Sequence, residues 1–165
     1  MRSATRRRNH RRVRFVVTVR DGGRGRVLVP VPFDPDEVWA PKARHHVGGT
    51  ANGHRVRGTI ERHDGQWGLL LGAAWLRDCG VTAGDTVRVE LEPEGPQRDD
   101  LADDLAAALA ANPNAGEFFD GLAQFYRRGY LRWIDATKRS PAERARRIAR
   151  TVELLSAGVK DYRQG

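Results

Sequence analysis

Phe125 to Gly158 reads FYRRGYLRWIDATKRSPAERARRIARTVELLSAG. This stretch predicts two helices joined by a short break. Ser140 is a good N-cap, Pro141 fits the first helical position, and Glu143 completes an S-x-x-E capping box. Ile148, Val152 and Leu155 fall at i, i+4 and i+7, with Ala145 and Ala149 widening the stripe. Gly158 supplies a left-handed stop. Arg146 and Arg150 project from the other side, Arg147 flanks, and the stem of Arg144 packs while its head reaches water. The preceding helix runs from about Gln124 to Lys138. Tyr126, Tyr130, Trp133 and Ile134 form its apolar face, closed by the methyl of Thr137, and Arg127, Arg128, Arg132 and Asp135 are left outside. Trp133 is expected to be a core residue bridging Phe118, Phe119 and Leu122 to Ile148, Val152 and Leu155.

Upstream, Asn114 with Glu117 is read as the cap of a short helix carrying Phe118, Phe119 and Leu122. Leu101 to Ala111 is an Ala-rich helix ended by Asn112-Pro113. Asp99, Asp100, Asp103 and Asp104 crowd its start, where they favour the positive end of the helix dipole. Glu92 to Asp100, EPEGPQRDD, holds two Pro and a Gly, and residues 94–100 of it form the linker.

Residues 13–93 read differently. Val13 to Val19, Arg26 to Val31, Arg44 to Ala51, His54 to Arg62, Gln66 to Leu71 and Thr86 to Leu91 are about six short strands. Asp21-Gly22-Gly23, Asn52-Gly53, Asp64-Gly65 and Gly84-Asp85 are the turns. Val87, Val89 and Leu91 alternate with Arg88, Glu90 and Glu92, as in a strand with one face buried. Asp34-Pro35-Asp36-Glu37 starts a short helix from which Val38 and Trp39 pack, and Ala73 to Asp78 is another, closed at Gly80. Closure into a small β-barrel removes exposed edges. The chain is therefore expected to be α+β: a basic, disordered tail over 1–12, a small barrel over 13–93, a linker over 94–100 and a four-helix unit over 101–163.

Charge is uneven in this chain of 165 residues and net charge +8. Residues 1–14 hold seven Arg and no acid, the middle is acidic, and residues 126–165 are again basic. Such a pattern attracts phosphate. Nearly all the bases are Arg, which nucleotide bias in a GC-rich genome also produces, and that is the simpler reading. No apolar run approaches the roughly 18 residues of a membrane span. The charged N-terminus lacks a following apolar region, so no membrane insertion and a cytoplasmic location are expected. The one cysteine, Cys79, excludes an internal disulfide and is expected to be buried and inert.

The segment Arg127-Arg128-x-Tyr130-Leu131-x-Trp133-Ile134-x-Ala136-Thr137-Lys138-Arg139, followed by Glu143-Arg144-x-Arg146-Arg147-Ile148, resembles the YdeI/OmpD-associated family, also called the bacteriocin-protection family. The resemblance covers about Leu101 to Tyr162. Thr137 departs from it, since relatives tend to have Ala there. Some relatives join this unit to a small barrel of unknown function. Val29-Pro30-Val31-Pro32, Val47-x-x-Thr50-x-Asn52-Gly53 and Gly84-Asp85-x-Val87-x-Val89 look like that barrel. Gly84-Asp85 also looks like the Gly-Asp box of small cradle-loop barrels, where the Asp caps a turn. The resemblance implies a bacterial cytoplasmic protein with a link to bacteriocin tolerance or stress. It brings no catalytic residues with it.

Chemistry is sparse elsewhere. His45 and His46 are adjacent on a strand and point to opposite faces, so they do not share one ion, and His54 and His63 add no ligand spacing. No phosphate loop or nucleophile elbow occurs. No cofactor is expected. The best candidate is the basic C-terminal face: Arg127, Arg128, Lys138, Arg139, Arg146, Arg147 and Arg150 beside Tyr126, Tyr130 and Trp133. Arg with aromatics can hold phosphate, carboxylate or a single nucleic-acid strand. The competing reading is that these Arg are solvated or pair with the acidic Asp99–Asp104 segment. The leading expectation is a non-catalytic, two-module binding protein with an acidic ligand or protein partner, its modules sharing a cleft. The alternative is nucleic-acid binding through the N-terminal arm and the Arg face, and a small enzyme comes third.

Overall fold

The computed structural model describes residues 11–137 and 139–165, in two compact units that divide between Pro93 and Glu94. The first unit is a curled, seven-stranded antiparallel sheet, a half-barrel. The second is helical. The α+β expectation holds.

The strands are β1 (Val13–Thr18), β2 (Arg20–Gly23), β3 (Arg26–Pro30), β4 (His45–Ala51), β5 (His54–His63), β6 (Gln66–Leu71) and β7 (Thr86–Pro93). Their order is β1-β7-β4-β5-β6-β3-β2. The two edge strands, β1 and β2, are thus consecutive in the chain, separated only by Val19. Val19 is buried. Its N–H donates to the Asp85 carbonyl at 2.9 Å, and its carbonyl accepts from Gly84 N–H at 2.8 Å. The Gly84-Asp85 turn therefore holds the corner where the curled sheet comes round on itself. Asp85 caps that turn, accepting from Thr82 N–H at 2.9 Å.

Seven strands stand where about six are expected, because the segment from Val13 bends at Val19 and continues pairing. The hairpin turn lies at Arg24-Gly25 instead of Asp21-Gly22-Gly23. Arg24 and Gly25 have φ of 54° and 73°, the positive pair that a tight hairpin needs, and the pairing shifts register between Asp21 and Gly23. Asn52-Gly53 turns as expected, with φ of 48° and 80°.

Val87, Val89 and Leu91 are fully buried under β1 and β4, and Val47, Ile60, Leu69 and Val29 complete the floor. Arg14 pairs with Glu90 across β1 and β7 at 2.9 Å. Helix α1 (Pro35–Trp39) is capped by Asp34, whose side chain accepts from Asp36 N–H. Trp39 is buried, but Val38 is exposed, contrary to the expectation that both pack. Helix α2 (Ala73–Cys79) ends at Gly80, φ 69°. Cys79 is half-buried, less covered than expected.

The helical unit contains α3 (Asp103–Ala111), α4 (Pro113–Gly121), α5 (Gln124–Asp135) and α6 (Pro141–Ser156). A 3-10 turn, Arg98–Asp100, precedes α3, and another, Tyr162–Gln164, ends the unit. Asn112, not Asn114, is the N-cap residue of α4. Pro113 opens that helix, because a missing N–H costs nothing at a first turn. Ser140 accepts from Glu143 N–H as expected. The Glu143 carboxylate does not return the bond: Ser140 N–H is already donated to the Thr137 carbonyl, and Glu143 pairs with Arg146 and Arg147 instead. At the far end Gly158 N–H bonds Leu155 O and Val159 N–H bonds Leu154 O, a Schellman closure with Gly158 at φ 76°.

The helical core is formed by Leu105, Leu109, Phe119, Tyr130, Ile134 and Leu155, with others around them. The buried stripe of α6 is Ile148, Thr151, Leu154 and Leu155. Val152 is half-buried and Ala145 and Ala149 are exposed, so the stripe is rotated toward Thr151 from its expected position. Thr151 tolerates this burial by donating its hydroxyl to the Arg147 carbonyl at 2.8 Å.

Candidate functional site

The arginines of the helical unit divide into struts and outward cations. Arg127 is a strut. It is 2% exposed, not outside the apolar face as its charge suggests. Its guanidinium donates to the carbonyls of Leu122 and Pro96, each at 2.9 Å, and to that of Asp120. It also lies over the Phe119 ring. Burial pushes its pKa down, against the opposing charges of Asp120 and Glu94. Its donors are committed to three carbonyls, so it belongs to the frame. The segment before α3 is anchored the same way: Arg98 pairs with Asp120 at 2.9 Å, and Gln124 donates to Glu94. Gly116 makes room for Arg98, since a Cβ there would sit 2.0 Å from its Nη2.

Arg144 and Arg147 tie helices together. Arg144 grips Asp104 of α3 through Nε (2.6 Å) and Nη2 (2.9 Å) and Asp135 of α5 through Nη1 (3.0 Å). The Asp104 carboxyl is held below the usual range by this bond, and Arg144 is pushed up in turn. Pairing between the basic helix and the acidic segment is thereby real at this position. Arg147 donates to the Trp133 carbonyl at 2.6 Å, and its guanidinium lies 5.1 Å from the indole centroid.

Trp133 is therefore not the core bridge expected of it. It is half-buried at the margin of the core, stacked on Tyr162 at 5.2 Å and 17°. Tyr130 takes the central place, fully buried, with its hydroxyl donated to the Val159 carbonyl at 2.6 Å.

Arg128, Arg139, Arg146 and Arg150 are exposed. Arg146 and Arg150 pair within their own helix with Glu143 and Glu153, contacts that surface screening makes weak. Arg128 and Arg139 make no ion pair among the described residues. Lys138 lies outside the described residues, as do residues 1–10 of the basic arm. Arg11 and Arg12 do not float: Trp39 donates its indole N–H to the Arg11 carbonyl, and Arg12 approaches Glu90 and Glu92.

One concave site gathers charge and aromatics. It is a pocket of about 230 Å³ formed by α5 and the C-terminal turn, lined by Phe125, Tyr126, Gly129, Arg132 and Tyr162 and by the Asp161–Arg163 pair. Phe125 is 57% exposed and stands edge-on to Tyr126 at 5.3 Å. Arg163 holds Asp161 through Nε and Nη2, which keeps the carboxyl below its usual range. Arg132 is exposed and makes no ion pair among the described residues. Sequence reasoning missed Arg132 as a site residue and missed Tyr162 altogether. The available signal was spacing: Phe125, Arg128 and Arg132 recur at i, i+3 and i+7 along one helix face.

A second, shallower groove of about 500 Å³ runs between α3 and α6 over Ala108, Ala145 and Ala149. In the first unit, His45 is buried with Nε2 2.6 Å from Asp36 Oδ1, between the rings of Trp39 and Trp67. His46 meets Thr59 on the other face. Among the described residues no cluster of His, Cys, Asp and Glu is arranged to hold a metal, and no helix is long and apolar enough to cross a membrane.

Comparison with known proteins divides along the same line as the structure. Residues 100–158 match the family described as Bacteriocin-protection, YdeI or OmpD-Associated. Residues 16–91 match the Domain of unknown function (DUF1905). No curated protein matches the chain.

Proposed function

We propose that this chain, whose helical unit matches the YdeI/OmpD-associated family and whose sheet unit matches DUF1905, is a binding protein and not an enzyme, and that α5 captures an anionic partner. The observation that carries this reading is Arg132, an exposed guanidinium with no ion pair among the described residues, in a pocket walled by Tyr126 and Tyr162. Guanidinium and aromatic groups bind and orient. The pocket's one carboxylate, Asp161, is held by Arg163. Arg128, one turn earlier on the same helix, extends the positive field. The matched family's description names bacteriocin protection. Carried to this chain, it supports a role in bacteriocin tolerance; the role we propose, there or in stress tolerance, is to hold an acidic ligand or partner in the bacterial cytoplasm.

The test is calorimetric titration of the full chain with inorganic polyphosphate at low and at physiological salt. Binding should weaken steeply with salt and fall several-fold in an Arg128→Gln/Arg132→Gln variant. No binding at low salt, or binding indifferent to that variant, contradicts the reading.

A second reading, nucleic-acid binding, is favoured by Phe125. A phenyl ring more than half exposed beside two outward Arg is a stacking surface that a simple anion has no use for.

A further inference from the structure

We propose that the pocket between α5 and the C-terminal turn holds one aromatic base with its phosphate on Arg132. The ligand of the helical unit is then a nucleoside phosphate, free or as one unit of a single strand. This rests on the anion-binding reading above and names the ligand of the same site.

Size is the first argument. At about 230 Å³ the pocket is smaller than those that enclose a whole drug-sized ligand. It admits a ring and leaves sugar and phosphate at the mouth, where Arg132 is exposed. The second is the shape of the wall. Gly129 puts no side chain into the space, and a Cβ built there would lie 3.8 Å from the Tyr162 ring. A longer side chain at 129 would take the place of the base.

The third argument is preorganisation. Tyr162 is stacked on Trp133 and lies 6.1 Å from Tyr130. Its neighbours in the chain are fixed by the Tyr130 bond to Val159 and by the Arg163–Asp161 clamp. A wall already in place costs little ordering when a ligand arrives. The fourth is the sequence of groups along α5: the Phe125 ring, then the Arg128 and Arg132 guanidiniums, each about one turn apart. Bases stack on such rings, and phosphates accept from guanidinium in a two-pronged geometry. Arg163 spends Nε and Nη2 on Asp161, which leaves Nη1 for the same anion. An aliphatic acid would use the arginines and leave the rings idle.

The experiment measures binding of three probes to the full chain at low salt: a short oligothymidylate, an abasic strand of the same length, and thymidine monophosphate. The oligothymidylate should bind roughly tenfold more tightly than the abasic strand, the contribution of a stacked base. Gly129→Leu, which fills the place of the base, should abolish that preference. Phe125→Ala, a change at an exposed ring, should reduce it. Arg132→Gln should weaken both strands. Monophosphate binding as tight as the oligomer identifies a free nucleotide as the source, and weaker binding identifies a strand. If wild type binds both strands alike and Arg132→Gln weakens both, the base pocket is overturned while anion capture stands. A preference that survives Gly129→Leu also overturns it. Binding of neither strand removes both readings.

Discussion

The guanidinium of Arg127, in the first half of α5, lies 2.9 Å from the carbonyl of Pro96, thirty-one residues earlier in the chain. Together with its bonds to Leu122 and Asp120, this makes one buried cation the fastening between the start of the helical unit and the α4–α5 corner. Replacing Arg127 leaves three carbonyls without their donor. Arg127→Ala should destabilise the helical unit by about 3 kcal/mol. Arg127→Lys should rescue little, because an ammonium cannot reproduce the planar fork. Urea unfolding of both variants checks this. A lysine variant as stable as wild type would mean that charge alone suffices there.

The Arg144–Asp104 pair makes stability depend on acid. Arg144 holds the folded-state pKa of Asp104 below its ordinary value, while in the unfolded chain it titrates near about 3.9. The contribution is whole above that pH and is lost as pH falls through the depressed folded value. The pair is partly exposed, so Arg144→Ala should cost only about 1 kcal/mol at neutral pH. The variant should also lose less stability than wild type on acidification below about pH 4. Parallel acid titrations followed by circular dichroism measure the difference.

Tyr130 gives the opposite limb. Burial raises its pKa to about 12, and its hydroxyl donates to the Val159 carbonyl. The fold holds the neutral phenol. Its contribution is whole below the unfolded value of about 10 and disappears as pH rises toward the folded one. Tyr130→Phe should cost about 1 kcal/mol at neutral pH, the worth of one hydrogen bond. It should also flatten the alkaline fall in melting temperature that wild type shows above about pH 10.

Gly49 tests the half-barrel. A Cβ there would fall 1.8 Å from the Glu90 carbonyl oxygen, a backbone atom of the neighbouring strand β7. No rotamer change relieves that contact. Gly49→Ala should separate β4 from β7 and cost at least about 3 kcal/mol, read as a lowered melting temperature. Gly53→Asn, at the exposed hairpin turn, is the matched control.

The features legible in the sequence were those whose physics is local. Asn52-Gly53, Ser140-Pro141 and Gly158 each demand a particular backbone conformation, and each adopts it. Helix existence followed from apolar spacing for the same reason. What escaped depended on partners far along the chain. Arg127 shares a helix face with the buried Tyr130 and Ile134, although the sequence reading left it outside. Its charge argued for water, and only the carbonyls of Pro96, Asp120 and Leu122 make its burial possible. Trp133 lies on the apolar face with Tyr126 and Tyr130, yet its ring stacks on Tyr162 at the margin of the core, and no periodicity linked Tyr162 to α5. Val19 bends because Gly84 and Asp85 receive it, more than sixty residues later. The site divided likewise. That Arg and aromatics meet in the C-terminal half was readable, but which arginines face water was decided by pairing.

The most direct measurement is amide chemical-shift mapping on the labelled full chain during titration with oligothymidylate at low salt. The account predicts saturable shifts at Phe125, Tyr126, Gly129, Arg132 and Tyr162, with Ala145 and Ala149 in the α3–α6 groove left unmoved. Shifts confined to the α3–α6 groove or to the half-barrel, or none at all, would contradict it.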